Sequence, residues 1–319
     1  MLARRPRRRS ASAAAVTAAH SAPTVLATMV DHLMALDPGA RGIAAFFVPG
    51  GATAAAQALR KSRRVLLTTG FAVGPGLPET DGPPGTACLG RALRALGADV
   101  TYVTDAVAVP PLQAALKVLG EPAGVETFHV AHGAAGDAPE TARRILSEHR
   151  PTHLIAIERP GRARDGHYRS ARGRSLTEWN GPLDELFLVA PARVVTIGVG
   201  DGGNEIGMGA VRARVARAGG VFPRIASVVA VKHLVVAGVS NWGAYGIVAE
   251  LGRLTGRQLL HTVEEEQAMV QACVDAGAVD GLTHRSEPTV DGLPLPVHIG
   301  MLELLRVLES PRHPGGPSK

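Results

Sequence analysis

Residues 194–209, VVTIGVGDGGNEIGMG, decide the fold. Residues 194–197 form a short apolar run that ends in glycine, the pattern of a buried strand. It empties into a loop with glycines at 198, 200, 202, 203, 207 and 209, and a helical pattern follows toward Ala218. Strand, glycine-rich turn and helix in that order form the repeating unit of a parallel α/β sheet. Glycine lets a ligand approach the main chain closely. A helix starting beyond the turn offers unpaired N–H groups to an anion. Asp201, Asn204 and Glu205 are polar side chains that such a loop does not need for packing, so they are candidate functional groups.

The same alternation extends outward in both directions. Segments at 65–71, 99–104, 125–130, 153–157 and 227–231 read as further strands, with 234–236 continuing or breaking the last. Helical spacing covers 24–36, 52–59, 86–96, 110–119, 139–149, 183–189, 244–254 and 299–308. Thr262-Val-Glu-Glu is a capping box opening a helix through Ala276. Three stretches read as irregular: 70–85 with its PETDGPPG segment, the polar 158–180, and 280–293. Continuous apolar strands alternating with helices predict a mostly parallel, Rossmann-like sheet with helices on both faces. The domain expectation is a disordered or targeting leader over 1–22, one α/β domain over 23–310 and a disordered tail over 311–319.

Charge excludes some partners. The chain carries a formal +6, but Arg4, Arg5, Arg7, Arg8 and Arg9 all precede the first acidic residue, Asp31. Without them 29 basic residues face 28 acidic ones. A nearly neutral body with few aromatics does not favour nucleic acid, and no apolar stretch approaches the roughly 20 residues of a membrane span. Cys88 and Cys273 are isolated, which excludes a disulfide framework. The Arg-rich, acid-free leader has the composition of a transit peptide.

Several groups carry chemical potential. Gly198-x-Gly200-x-x-Gly203 matches a dinucleotide fingerprint. The acidic residue expected about 20 positions later is missing, and Asp201 would face a pyrophosphate. Lys232 and His233 could instead meet a 2′-phosphate, which keeps an NADP-dependent oxidoreductase as the alternative. Arg159 and Arg162 suit bidentate recognition of a carboxylate, although Asp165, Glu158 and Glu178 could equally pair with them. Glu79, Thr80 and Asp81 offer acid–base or ligand groups, and Ser240 and Asn241 sit between a strand and a helix. His129 and His132 would point to opposite faces of a strand, which disfavours a shared metal.

Together the stretches TGFAVGPGLPETDGPPG, ERPGRARDGHYRSARG, TIGVGDGGNEIGMG, VSNWGAYG and TVDGL resemble the D-glutamate cyclase family, in that family's order and over roughly residues 31–305. The segment around Ser170 departs from the pattern. The resemblance implies intramolecular dehydration of D-glutamate to 5-oxo-D-proline. On that reading Asp201, Asn204 and Glu205 are catalytic. Arg159, Arg162, Gly202, Gly203, Thr80, Asp81, Ser240 and Asn241 bind substrate. The main-chain donors around residues 202–204 would cradle the oxyanion. A divalent metal, if used, would sit on Asp201 and Glu205; a nucleotide cofactor is not expected. The partner is a small-molecule substrate, with neither membrane nor nucleic acid, and the oligomeric state is open. A non-catalytic small-acid-binding protein on the same scaffold is the third reading. The short bacterial relatives point to the cytoplasm, and the leader to the mitochondrial matrix as the alternative.

Overall fold

The computed structural model describes residues 28–129 and 137–309. The leader, the tail and His132 lie outside them. In chain order, α1 (Met29–Met34) and α2 (Gly51–Leu59) precede β1 (Arg64–Thr69). Next come a small hairpin of β2 (Ala72–Gly74) and β3 (Leu77–Pro78), then α3 (Pro83–Ala95), β4 (Asp99–Thr104), α4 (Val109–Val118), β5 (Val125–Thr127), α5 (Ala138–His149) and β6 (His153–Ile157). The second half runs α6 (Glu185–Leu188), β7 (Val195–Gly200), α7 (Arg212–Arg217), α8 (Phe222–Ile225), β8 (His233–Val236), α9 (Ser240–Thr255) and α10 (Val263–Asp275). It closes with a second hairpin of β9 (Thr289–Val290) and β10 (Leu293–Pro294), and α11 (Leu295–Glu309).

Six strands form one parallel sheet in the order β5-β4-β1-β6-β7-β8. The chain thus winds outward from β1 through β4 to β5, crosses back, and winds the other way from β6. This is the doubly wound arrangement, and its order reverses between β1 and β6, where the loops leaving adjacent strands diverge and open a crevice. Side chains alternate across the strands. Val65, Leu67, Ile155, Ile157, Ile197 and Val199 pack beneath α2, α3, α4 and α9. Leu66, Leu154 and Ala156 face α5 and the segment around α6 on the other side. The helix α9 is buried from Ser240 through Gly252, so it is a core helix rather than an amphipathic one.

Several expectations need correction. The segment 70–85 is not irregular throughout: it holds the β2–β3 hairpin, and α3 begins at Pro83, where proline costs no hydrogen bond. The strand expected over 227–231 is not one; isolated bridges hold Ser227 and Ala230, and the sixth strand is β8. The helix expected over 244–254 starts earlier, at Ser240. The glycine loop leads into a 3-10 turn at Gly209–Val211 and only then into the six-residue α7. No helix N-terminus therefore stands directly behind that loop.

A fully buried polar chain ties the helices of the larger face together. The Cys88 sulfur on α3 lies 3.2 Å from His261 Nδ1, His261 Nε2 lies 2.7 Å from Glu266 Oε2 on α10, and the Tyr245 hydroxyl on α9 donates to that same oxygen at 2.7 Å. Burial opposes a charge on His261, but the neighbouring Cys88 and Glu266 hold its pKa up at about 10. Removing one partner of such a buried pair costs about 3–5 kcal/mol, so His261→Ala is expected to lower stability by that amount at neutral pH. Because the folded pKa lies above the unfolded one, the pair's contribution is complete below about pH 6.5 and is lost as pH rises toward about 10. Denaturant unfolding of wild type and variant at several pH values will show the gap narrowing across that window.

Candidate active site

Three strand ends and two distant loops meet at the crevice. Glu79 and Asp81 follow β3 in the connection that leaves β1, Glu158 follows β6, and Asp201 and Glu205 follow β7. Arg41 arrives from the segment before α2, held in a turn whose Asp37 carboxylate accepts the amides of Arg41 and Gly42 at 2.8 and 2.7 Å. Asp291 arrives from the turn between β9 and β10. There Asp280 accepts the Thr289 hydroxyl and the Gly292 amide, and Thr80 donates its hydroxyl to the Thr289 carbonyl. The six carboxylates are all buried. Glu158 and Asp291 adopt positive φ values of 43° and 54°, a costly conformation for residues with side chains and one that collects at functional sites.

The glycines of β7 exist to bring Glu205 back. Gly198 and Gly200 face the returning loop. A Cβ on Gly198 would stand 2.5 Å from the Ile206 carbonyl oxygen, and one on Gly200 would stand 2.9 Å from the Glu205 carboxylate. Glu205 therefore folds over its own strand, and its Oε1 accepts the Gly202 amide at 2.6 Å. One donor of the expected oxyanion cradle, the Gly202 amide, is thus taken by a carboxylate from the same loop. This also weakens the dinucleotide alternative, because an acid fills the space a pyrophosphate would take. Lys232 and His233 stand at the start of β8, whereas the glycine loop lies at the opposite, carboxyl ends of the strands.

Arg41 Nη1 bridges Asp201 Oδ2 at 2.7 Å and Asp291 Oδ2 at 2.5 Å. Around this single guanidinium, oxygens of Asp81, Asp201 and Asp291 lie within 4.8 Å of one another, and so do those of Glu158, Asp201 and Glu205. Asp201 belongs to both groups. Two like charges at that separation repel by about 3.5 kcal/mol at an effective dielectric near 20. Burial, and after it the nearest carboxylates, push Glu79 and Glu158 well above the usual carboxylate range. Burial raises Asp201 as well, against the pull of Arg41. Asp81 is pushed up to about 8 by burial and by Asp291, although it accepts the first two amides of α9. Asp201 Oδ1, Glu205 Oε2 and Glu79 Oε1 are buried with no protein partner.

Other expected site residues serve the scaffold. Arg159 is fully buried and bonds the Gly70 carbonyl, Asp105 and the Gly181 carbonyl, tying the loops after β1, β4 and β6 together. Arg162 makes a bidentate pair with Asp184 and reaches Glu185. Both guanidiniums are engaged by carboxylates of the protein. Asn241 accepts the Gly82 and Gly85 amides. Ser240 does touch the cluster, donating its hydroxyl to Glu158. Asn204 lines the inner cavity beside Arg41, Glu79, Glu158 and Asp291. Gly203 at φ 86° packs against Val215 and offers no side chain. Arg41 and Asp291 were not singled out from the sequence.

A family model described as D-glutamate cyclase-like, C-terminal matches residues 30–306. The chain is 32% identical over 311 residues to D-glutamate cyclase, mitochondrial, from Homo sapiens. That match covers 86% of this chain and 50% of the human protein, so the chain spans about half the length of that curated relative. Among solved structures, an exopolyphosphatase-related protein from Bacteroides fragilis covers 80% of this chain and 56% of its own, with a TM-score of 0.39 and 7% identity. RecJ from Thermus thermophilus, in complex with Mn2+, covers 88% of this chain and 36% of its own, with a TM-score of 0.34 and 14% identity. No helix among the described residues is long and apolar enough to cross a membrane.

The raised carboxylates bind protons more tightly folded than unfolded. The stability they support is complete below about pH 4 and is lost as pH rises through their folded values, near 8 for Asp81. In chelator-containing buffer, Glu79→Gln is expected to flatten this fall and to raise the unfolding midpoint at about pH 8 relative to wild type. Equal pH profiles for the two proteins would show that Glu79 does not carry the strain.

Proposed function

The chain belongs to the D-glutamate cyclase-like family, and we propose that it closes D-glutamate to 5-oxo-D-proline with loss of water, as a lactam-forming hydro-lyase. The observation that carries this reading is the buried ring of carboxylates at the β1/β6 crevice, with oxygens of Asp201 and Glu205 left unpartnered. The chemistry explains why acids are needed. The substrate's amine attacks its own γ-carboxyl carbon; a C–N bond forms, a C–O bond breaks and water leaves. Starting from an ammonium and a carboxylate, two protons must pass from nitrogen to the departing oxygen. In water neither group reacts, since the amine is protonated and the carboxyl is ionised.

A site can supply both protonation states by setting carboxyls in different environments. Glu158, whose hold on a proton is strengthened by burial and by Glu205, is suited to deliver one to the leaving oxygen. Glu205, whose Oε2 has no protein partner, accepts a proton from the amine. Asp201 is oriented by Arg41, and Asn204 lines the space where the substrate would fold. Holding the chain of D-glutamate in a closed conformation converts a rare encounter into an aligned one, worth up to about 7–11 kcal/mol in the best intramolecular cases.

The donor set also fits a hard divalent cation such as Mg2+ or Mn2+. It is made wholly of oxygen, and it leaves Asp201 Oδ1 and Glu205 Oε2 unsatisfied. Asp201 with Asp81 and Asp291 would hold it and leave Glu158 and Glu205 free to move protons. When bound, such an ion supplies Lewis-acid polarisation of the γ-carboxyl.

Glu205→Gln removes the proton acceptor while keeping the side chain's shape. It is expected to lower kcat for D-glutamate by roughly 100-fold or more with an unchanged circular dichroism spectrum. Wild-type turnover by this variant would remove Glu205 from the proton path. Exhaustive chelation is expected to abolish activity and Mn2+ to restore it; full activity in protein shown to be metal-free would remove the cation.

A further inference from the structure

The loop between β6 and α6 carries a series of arginines whose surroundings divide them. Arg159 is bound to Asp105, Arg162 to Asp184 and Glu185, and Arg169 to Asp165. Arg172 and Arg174 have no carboxylate partner among the described residues. Both line an outer cavity together with His284. This cavity shares its walls, Ser170, Ala171, Leu176, Gly281 and Leu282, with the inner cavity that reaches Glu158 and Asp291. The two cavities adjoin: guanidiniums line the outer one, which forms the mouth, and carboxylates line the inner one, which forms the floor.

The mouth is built rather than loose. The Ser170 amide donates to the Arg174 carbonyl at 2.9 Å and the Gly173 amide to the Ser170 carbonyl at 2.8 Å, closing a tight turn. Gly173 sits at φ 80°, and the Arg224 guanidinium fills the position a side chain would take. Arg224 Nη2 reaches the Arg172 carbonyl at 3.4 Å. Arg172 Nη2 reaches the Leu282 carbonyl across the mouth, also at 3.4 Å. The Arg174 guanidinium lies over the Trp179 ring at 5.9 Å. Two guanidiniums are thus presented on a braced turn with hydrogen-bonding capacity to spare.

A dicarboxylic amino acid cannot place both its acids on a floor already crowded with carboxylates. One end enters to react, and the other, carried on the carbon that bears the attacking amine, needs positive charge beside the floor. Guanidinium pairs bind a carboxylate through charge-assisted, directional bonds. We propose that Arg172 and Arg174 form the subsite for the substrate's non-reacting α-carboxylate, and so determine which end of a small dicarboxylic amino acid reaches the acidic floor. This inference rests on the ring-closure reading of the inner site.

The test compares D-glutamate with its α-carboxamide, which keeps the amine and the γ-carboxyl. Wild type is expected to prefer D-glutamate strongly. In the double variant Arg172→Gln/Arg174→Gln, KM for D-glutamate should rise roughly tenfold or more while kcat stays within about threefold, and the preference over the α-amide should collapse. Arg172→Lys should recover part of the KM. An unchanged KM and an unchanged preference in the double variant would overturn the subsite. If wild type turns over neither compound, the ring-closure reading fails, and calorimetric titration with D-glutamate decides the subsite separately. Binding by wild type that is lost in the double variant supports it; equal binding, or none by wild type, overturns it.

Discussion

One guanidinium cannot neutralise six buried carboxylates, and the architecture of this protein turns on that imbalance. Arg41 ties Asp201 to Asp291, while Glu79, Asp81, Glu158 and Glu205 crowd the same crevice. Among the described residues, no other cation lines the inner cavity. Such a cluster persists only if it keeps protons, takes a cation, or both. Burial favours the protonated forms of Glu79, Glu158 and Asp201, the first of these solutions. A fold selected for stability alone would have replaced these acids with apolar side chains. Keeping them buried and close together makes sense where protons have to be moved.

The scaffold supplies what the cluster lacks. The doubly wound sheet opens a crevice between β1 and β6. Around it Arg159 fastens three loops, Arg162 and Asp184 fix the segment beyond them, and the α9 amides hold Asp81. These basic and polar groups look like substrate ligands in a sequence. In the structure they position the loops, which leaves Arg172 and Arg174 at the mouth with charge to offer.

The sheet was legible because its strands are continuous apolar runs: 65–71, 99–104, 153–157 and 194–197 all mark true strands. The sixth was misplaced because 227–231 and His233–Val236 are equally apolar, and periodicity cannot choose between neighbours of like composition. The two hairpins were missed because strands of two or three residues have no period to detect. Within the site, Asp201, Asn204, Glu205 and Asp81 stood out as polar residues on glycine- or proline-rich loops. Arg41 and Asp291 did not, since their pairing spans 250 residues and only the folded chain brings them together. Arg159 was misread for the same reason: its partner Asp105 lies 54 residues away. Its residue type shows what it can bind, but only the fold shows that it is already occupied.

The most direct test is to incubate the purified protein with D- or L-glutamate in Mn2+-containing buffer and to resolve the 5-oxoproline enantiomers by chiral chromatography. 5-Oxo-D-proline is expected to accumulate from D-glutamate. Formation of no 5-oxoproline from either enantiomer would contradict it.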